Sequence, residues 1–197
     1  MKSDIILSGV GGQGIVSIAA TIAMAALENN LNIKQSEVHG MSQRGGAVYS
    51  HLRISDKDIA SDLIPMGEAD IIISVEPMES LRYLPWLKED GWLVTNSTPF
   101  INIPDYPDLK ALHSEIEKFP NHILINADEI ARQVKSPRSS NIVMLGAATP
   151  FLEIPIENFE SAIKKIFARK GEKIVELNIQ ALYAGREFSL KHQKEKV

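Results

Sequence analysis

The sequence of 197 residues contains no cysteine. Disulfide bonds within the chain are therefore excluded, and so are zinc or iron–sulfur sites held by its own thiolates. A redox cluster that serves this protein would have to lie on a partner. The sequence also lacks an apolar run of the ~18 residues that a bilayer span requires, so we predict no membrane segment.

A large excess of one charge sign is also missing. Lys and Arg number 21 against 25 Asp and Glu, which gives a formal net charge of −4. There is no basic surplus that would favour nucleic acid or an anionic membrane as the main partner. The first residues, MKSD, have neither the basic nor the apolar region of a signal peptide. We expect a cytoplasmic protein that binds neither nucleic acid nor membranes.

Short apolar runs alternate with helical patterns along the chain. This alternation predicts one α/β domain of three layers, with a largely parallel, mixed sheet. The runs predict strands at residues 5–7, 33–38, 47–54, 69–75, 91–96 and 122–125. Helical patterns lie at residues 15–27, 77–87, 109–119, 127–134 and 139–148, and two more follow in the last third. A break of the second pattern at Pro85 stays open. We expect the domain to span residues 1–190, followed by a charged, fraying tail at 191–197.

A glycine-rich loop follows the first predicted strand directly. Gly9, Gly11, Gly12 and Gly14 surround Gln13, and a helical pattern begins immediately afterwards. Glycines let the backbone turn sharply and approach a ligand closely. The start of the following helix offers free amides to a phosphate or carboxylate. We therefore predict that these five residues form a ligand-binding loop in a Rossmann-like strand–loop–helix unit.

Three interpretations of this loop stay open. It can be a tight turn without a ligand, an anion site, or the fingerprint of a dinucleotide cofactor, whose 1-3-6 glycine spacing it has. A dinucleotide-binding unit also places an acidic residue at the end of its second strand. Here that residue would be Glu37, which stands later than usual. Anion binding and a structural turn are therefore both favoured over a dinucleotide.

A second loop, EVHGMSQRGG at residues 37–46, places polar side chains between glycines without a helical or strand period. Arg44 suits bidentate binding of a carboxylate or phosphate. A catalytic pair of Ser42 and His39 is disfavoured, because no acidic partner and no nucleophile-elbow pattern accompany it. A solvated hairpin turn stays open as the alternative. We predict that the loop contacts a partner or a ligand through His39, Met41, Ser42, Gln43, Arg44, Gly45 and Gly46.

Weaker candidates end or follow predicted strands, or begin a helix. Glu76, Asn96 and Thr98 stand where ligand crevices of α/β sheets form. Asn141 begins the helical segment NIVMLG, where it is either an N-cap or a site residue. No catalytic residue is assigned. The histidines share no metal-ligand spacing, so we predict no metal site, a packing role for His51 and surface locations for His113 and His122.

Three segments together resemble a known family. ILSGVGGQG, EVHGMSQRGG and NIVMLG, in this order, are similar to the gamma subunit or domain of 2-oxoacid:ferredoxin oxidoreductases. The length is similar to that of the small subunit in the indolepyruvate branch. The resemblance covers roughly residues 4–185 and implies that residues 1–190 form a gamma-type domain.

The resemblance implies a reaction and a division of labour. Enzymes of this family oxidatively decarboxylate a 2-oxoacid on thiamine diphosphate, pass electrons through iron–sulfur clusters to ferredoxin, and transfer the acyl group to coenzyme A. In the indolepyruvate branch the substrates are aryl pyruvates, and the large subunit carries thiamine diphosphate and the clusters. The chain would then bind no cofactor and be inactive alone. Its two loops would contact coenzyme A, the substrate or the large subunit.

Other functions stay open at this point. A free-standing nucleotide-binding oxidoreductase would use the first glycine loop for its cofactor, and a non-catalytic scaffold would use it as a turn only. Within the family, the pyruvate, 2-ketoisovalerate and 2-oxoglutarate branches stay open beside the indolepyruvate branch. The isolated chain forming a homodimer through its C-terminal helices is a further hypothesis.

Overall fold

The computed structural model describes residues 1–39 and 45–195, without the side chains of His39 and Glu195. Within these residues six strands form one sheet: β1 (Lys2–Val10), β2 (Asn32–His39), β3 (Ala47–Ser55), β4 (Ala69–Ser74), β5 (Leu87–Asn96) and β6 (His122–Ile125). The described ranges also contain seven α-helices: α1 (Ile15–Glu28), α2 (Pro77–Arg82), α3 (Leu109–Glu117), α4 (Ala127–Gln133), α5 (Ser140–Ala148), α6 (Ile156–Phe167) and α7 (Glu172–Glu195).

The strands lie in the order β2-β3-β1-β4-β5-β6. β1, β4, β5 and β6 run parallel to one another, whereas β3 is antiparallel to both of its neighbours. β1 is longer than the predicted run because it pairs with β3 along its whole length, from Lys2 opposite Ser55 to Val10 opposite Ala47. The predicted mixed and largely parallel sheet is confirmed.

Alternating side chains along the strands build a core on each face of the sheet. Ile5 and Leu7 of β1 pack with apolar residues of α1, α5 and α6 on one face. Ile6 points to the opposite face, where it packs with Ile72, Leu93 and, from α3, Ile116. Burial of both faces explains why the central strands are continuously apolar. Helices on both faces give the three predicted layers.

α5 lies at the centre of the larger core. Seven of its nine residues are buried, and it packs against α7. A Cβ added at Gly146 would lie 2.0 Å from the carbonyl oxygen of Leu182, and one added at Gly185 would lie 2.0 Å from that of Val143. The two helix backbones therefore touch each other at a pair of glycines. No larger residue fits at either position without separating the helices.

Local predictions agree with the structure in part. The helical pattern at residues 77–87 is interrupted at the proline, one of the two alternatives: α2 ends at Arg82, and Pro85 lies in a 3₁₀ turn, Leu84–Trp86. α7 continues to Glu195, so helical backbone enters the segment predicted as a tail. His122 is 7% exposed and bonds the Phe119 carbonyl, so its predicted surface location was wrong.

His51 and His113 also form hydrogen bonds within the protein. His51 is buried, and its Nδ1 accepts the N–H of Ile64 at 3.1 Å, as expected of a packing residue. The ring of His113 bonds the carbonyl oxygen of Ser97 at 2.9 Å. Even the longest of the described helices, α7, has no apolar stretch suited to crossing a bilayer.

Candidate functional site

A cleft of about 400 Å³ opens beyond the C-terminal ends of β1, β4 and β5. The chain leaves β1 into α1 on one face of the sheet and leaves β4 into α2 on the other. The edge between these two strands is therefore a topological switch point, where α/β proteins bind their ligands. One part of the cleft wall is Gly12 and Gln13, and another is Thr98 and Phe100.

Gln13 joins the ends of two strands. Its Oε1 accepts the N–H of Val10 at 2.7 Å, and its Nε2 donates to the carbonyl oxygen of Val75 at 3.3 Å. The amide thus fixes the end of β1 against the residue that follows β4. Both polar atoms of Gln13 have protein partners, so its side chain shapes the cleft wall rather than pointing freely at a ligand.

At two positions of the first loop, neighbouring side chains lie so close to the backbone that only glycine fits. A Cβ added at Gly9 would lie 2.3 Å from Cγ2 of Val75. At Gly14, where φ is +87°, an added Cβ would lie 2.5 Å from Nδ2 of Asn141. That Nδ2 donates to the carbonyl oxygen of Gly14 at 3.3 Å, across 127 residues of sequence. The glycine loop of the ILSGVGGQG segment and the start of the NIVMLG segment therefore meet at the cleft.

Asn141 does not have the N-cap role that was weighed for it. Ser139 occupies the N-cap position of α5, and Asn141 is the second residue of the helix. The N-cap alternative is wrong because the helix begins at Ser140, two residues before the start that a cap at Asn141 would give. The side chain of Asn141 lines the cleft and holds Gly14 instead.

The end of the second predicted loop lies against the first. The N–H of Gly11 donates to the carbonyl oxygen of Gly46 at 2.9 Å, and the N–H of Gly45 donates to that of Gly11 at 3.3 Å. The two glycine loops thus converge. The remaining predicted members of this loop lie outside the described residues: the side chain of His39, and Met41, Ser42, Gln43 and Arg44.

The strand order differs from that of a dinucleotide-binding unit. In such a unit the second strand lies next to the first, so its acidic residue reaches the ribose. Here β3 lies between β1 and β2, which carries Glu37. Glu37 lines a smaller hollow of about 260 Å³ beside Gly11 and Gly14. The strand order therefore does not favour the dinucleotide interpretation.

Asn96 organises the polar wall of the cleft. Its Oδ1 accepts the N–H groups of Thr98 at 3.3 Å and Ala127 at 3.1 Å, and its Nδ2 donates to Asp128 at 2.9 Å. The structure thus brings the predicted candidates Asn96 and Thr98 together, and it adds Asp128, which the sequence did not single out. The sequence feature that could have indicated Asp128 is its position in the first turn of a helix that directly follows a strand.

Glu76 does not face the cleft. It is 0% exposed, and one carboxylate oxygen accepts the N–H of Glu79 at 2.8 Å and caps α2. The expectation that Glu76 lines a ligand crevice was therefore wrong. Its position after β4 correctly predicted that Glu76 lies near the cleft, but its carboxylate points into the protein interior.

Arg138 is the charged group that sequence reasoning missed. It is exposed at the cleft and also lines an adjoining hollow of about 260 Å³, which Lys170 borders. Among the described residues Arg138 has no acidic partner, so its guanidinium is available for an anion. The sequence signal was its place directly before the serines that begin α5. In the described ranges, no group of three His, Asp or Glu side chains could hold a metal ion.

Comparison with known sequences gives a consistent result. A family model described as pyruvate ferredoxin/flavodoxin oxidoreductase matches residues 4–188. Indolepyruvate oxidoreductase subunit IorB of Archaeoglobus fulgidus is 38% identical, over 94% of this chain and 94% of the relative. The IorB subunit of Methanothermobacter thermautotrophicus is 35% identical over 94% and 96%. 2-Oxoglutarate synthase subunit KorC of Methanothermobacter marburgensis is 30% identical over 98% and 100%.

Solved structures share the fold. Pyruvate oxidoreductase subunit PORC of Thermotoga maritima has a TM-score of 0.73 and 25% identity, with 94% of this chain and 96% of that chain covered. 2-Oxoglutarate:ferredoxin oxidoreductase of Magnetococcus marinus was solved with 2-oxoglutarate, coenzyme A and succinyl-CoA bound. It has a TM-score of 0.76 at 21% identity, with 96% of this chain but 31% of that chain covered, and shows likeness of fold alone.

Proposed function

This chain belongs to the pyruvate ferredoxin/flavodoxin oxidoreductase family, and we propose that it is the small subunit of an oxidoreductase acting on indolepyruvate and related aryl pyruvates. The membership predicted from three short segments is confirmed. One observation carries the choice of branch: relatives at 38% and 35% identity are indolepyruvate oxidoreductase subunits, against 30% for a 2-oxoglutarate synthase subunit. In the proposed reaction the 2-oxoacid loses carbon dioxide, its acyl group passes to coenzyme A, and two electrons pass to ferredoxin.

The chemistry of decarboxylation and electron transfer belongs to the partner subunit in this proposal. The relatives are themselves subunits, which implies a partner for this chain. Iron–sulfur clusters need thiolate ligands, and this chain has no cysteine. We therefore assign thiamine diphosphate and the clusters to a large partner subunit that donates electrons to ferredoxin. The small subunit contributes binding surface and is inactive alone.

Coenzyme A is the ligand we assign to the cleft beside Gly12 and Arg138. It carries phosphate groups, and Arg138 can bind a phosphate through two parallel hydrogen bonds. Lys170 adds positive charge in the adjoining hollow, and the start of α5 offers free amides. The oxidoreductase of Magnetococcus marinus, whose fold this chain shares, also binds coenzyme A. In this role Gln13 and Asn141 hold the cleft in shape.

We expect Arg138→Ala to raise the KM for coenzyme A about tenfold and to leave kcat within about twofold, because a phosphate contact binds ground and transition states alike. The assay is viologen reduction by the assembled complex with indolepyruvate present and coenzyme A varied. Arg138→Lys should restore part of the affinity, since lysine keeps the charge but not the planar fork.

Arg132→Ala is the matched control for this change. Arg132 is exposed on α4, pairs with Glu129 at 2.8 Å and does not line the cleft. It should leave the KM unchanged. Equal KM values for the Arg138→Ala and wild-type complexes would contradict the assignment of coenzyme A to this cleft.

The substrate assignment has its own test in the assembled complex. We expect kcat/KM for indolepyruvate to exceed that for 2-oxoglutarate by at least about 100-fold, because a site for an aryl group leaves a second carboxylate unpaired. Phenylpyruvate should be accepted as well. A complex that prefers 2-oxoglutarate or pyruvate would place the chain in another branch of the family.

A further inference from the structure

The buried carboxylate of Glu76 joins three parts of the molecule. It stands directly after β4, and its Oε2 accepts the N–H of Glu79 at the start of α2. Its Oε1 accepts the N–H of Phe100 at 3.3 Å and the O–H of Tyr106. Phe100 and Tyr106 both belong to the irregular segment at residues 97–107, which we call the wall loop. One side chain thus holds the wall loop at two points.

The wall loop forms one side of the cleft. Thr98 and Phe100 line the cleft, and farther along Asn102 donates from Nδ2 to the carbonyl oxygen of Gly45 at 2.6 Å. Burial of apolar side chains does not hold the loop in place, since Ile101 is 70% exposed and Phe100 and Ile103 are also exposed. Its position depends on hydrogen bonds, and Glu76 accepts two of them.

The donors around Glu76 fit a carboxylate and no neutral substitute. Both of its oxygens accept hydrogen bonds from neighbouring N–H or O–H groups. A carboxylate is a pure acceptor, whereas the amide of glutamine would turn an NH₂ group toward at least one of these donors. Burial, and then the bond to Glu76, raise the pKa of Tyr106, so its hydroxyl stays protonated and donates.

We propose that Glu76 is a positioning residue that sets the wall loop against the cleft, acting through the O–H of Tyr106 and the N–H of Phe100. A buried carboxylate is costly unless hydrogen bonds compensate it, and the wall loop supplies two of its donors. These bonds fix Phe100 in the cleft wall, and a preformed cleft loses less entropy when it binds its ligand. The identity of that ligand as coenzyme A rests on the proposed function, whereas the hydrogen bonds do not.

Hydrogen exchange on the isolated chain tests the bonds. Glu76→Gln and Tyr106→Phe should each speed amide exchange in the wall loop, by about tenfold or more for Glu76→Gln. Glu79→Gln is the control, because the buried Glu79 carboxylate binds Arg82 and makes no bond to the wall loop. Exchange in the wall loop that matches the wild type in both test variants would overturn the proposal.

Steady-state kinetics of the assembled complex tests the consequence. Glu76→Gln should raise the KM for coenzyme A about tenfold with kcat within about twofold, and Tyr106→Phe should raise it about threefold. Tyr106→Phe removes one hydroxyl and keeps the test open if Glu76→Gln folds poorly. Faster exchange with an unchanged KM in Tyr106→Phe would overturn the positioning role. A wild-type complex that needs no coenzyme A would refute the proposed function, and the exchange result would still decide whether Glu76 holds the loop.

Discussion

Gly146→Val is expected to lower the free energy of unfolding by about 4 kcal/mol or more, which is enough to unfold many domains of this size. The reason is geometric. A Cβ at this position would lie 2.0 Å from the Leu182 carbonyl oxygen and 2.8 Å from its carbon. These are backbone atoms of α7, so no side-chain rotation can make room. The helices would have to separate, and α5 lies at the centre of the core.

Urea denaturation of the isolated chain measures this effect, and Gly171→Ala is its control. Gly171 lies between α6 and α7 at φ +93°, and an added Cβ meets no atom within 4 Å there. Only backbone strain of about 1–3 kcal/mol is then expected. Similar losses of stability in the two variants would contradict the close crossing of α5 and α7.

Gly14→Val is expected to lower the free energy of unfolding by about 3 kcal/mol and to abolish saturation by coenzyme A in the assembled complex. A β-branched side chain is strongly disfavoured at φ +87°, and its Cβ would meet the Asn141 amide at 2.5 Å. Displacing Asn141 breaks its bond to the carbonyl oxygen of Gly14. The start of α1 and the start of α5 would then move apart beside the cleft.

Gly12→Ala is the control that separates backbone strain at positive φ from a steric clash of the added side chain. Gly12 has φ +102°, and an added Cβ meets nothing within 4 Å. We expect a loss of about 1 kcal/mol from strain alone. Thermal unfolding of both variants, followed by titration of coenzyme A in the complexes, gives the comparison. If Gly14→Val were no more harmful than Gly12→Ala, the contact between Gly14 and Asn141 would have no importance for the cleft.

Local sequence patterns predicted the elements of this fold because burial imposes them. The bounds of β6, His122–Ile125, were predicted to the residue, since a short apolar run between polar residues permits few other boundaries. The unit of β1, glycine loop and α1 was predicted for a similar reason: glycines at a strand end leave little choice of backbone. Both glycine loops lie at one edge of the sheet because β1 and β2 run in the same direction, with β3 antiparallel between them.

Long-range pairing was less accessible to sequence reasoning. Nothing near Glu37 indicates that β3 inserts between β1 and β2, yet this insertion separates Glu37 from the position it would have in a dinucleotide-binding unit. The buried orientation of Glu76 depends on Tyr106, which is 30 residues away. Arg138 became a candidate only when the fold placed it at the cleft. The positions of Glu37 and Glu76 are set by tertiary contacts and leave no local pattern.

The central claim is that this chain works as the small subunit of an aryl-pyruvate oxidoreductase. The most direct measurement is affinity purification of the tagged chain from its own cells, followed by an assay of the eluate for indolepyruvate-dependent viologen reduction with coenzyme A. We predict a large, cysteine-rich partner that contains thiamine diphosphate, and activity that is lost when the two subunits are separated and returns when they are recombined. A chain that purifies without a partner, or a complex that does not oxidise 2-oxoacids, would contradict this claim.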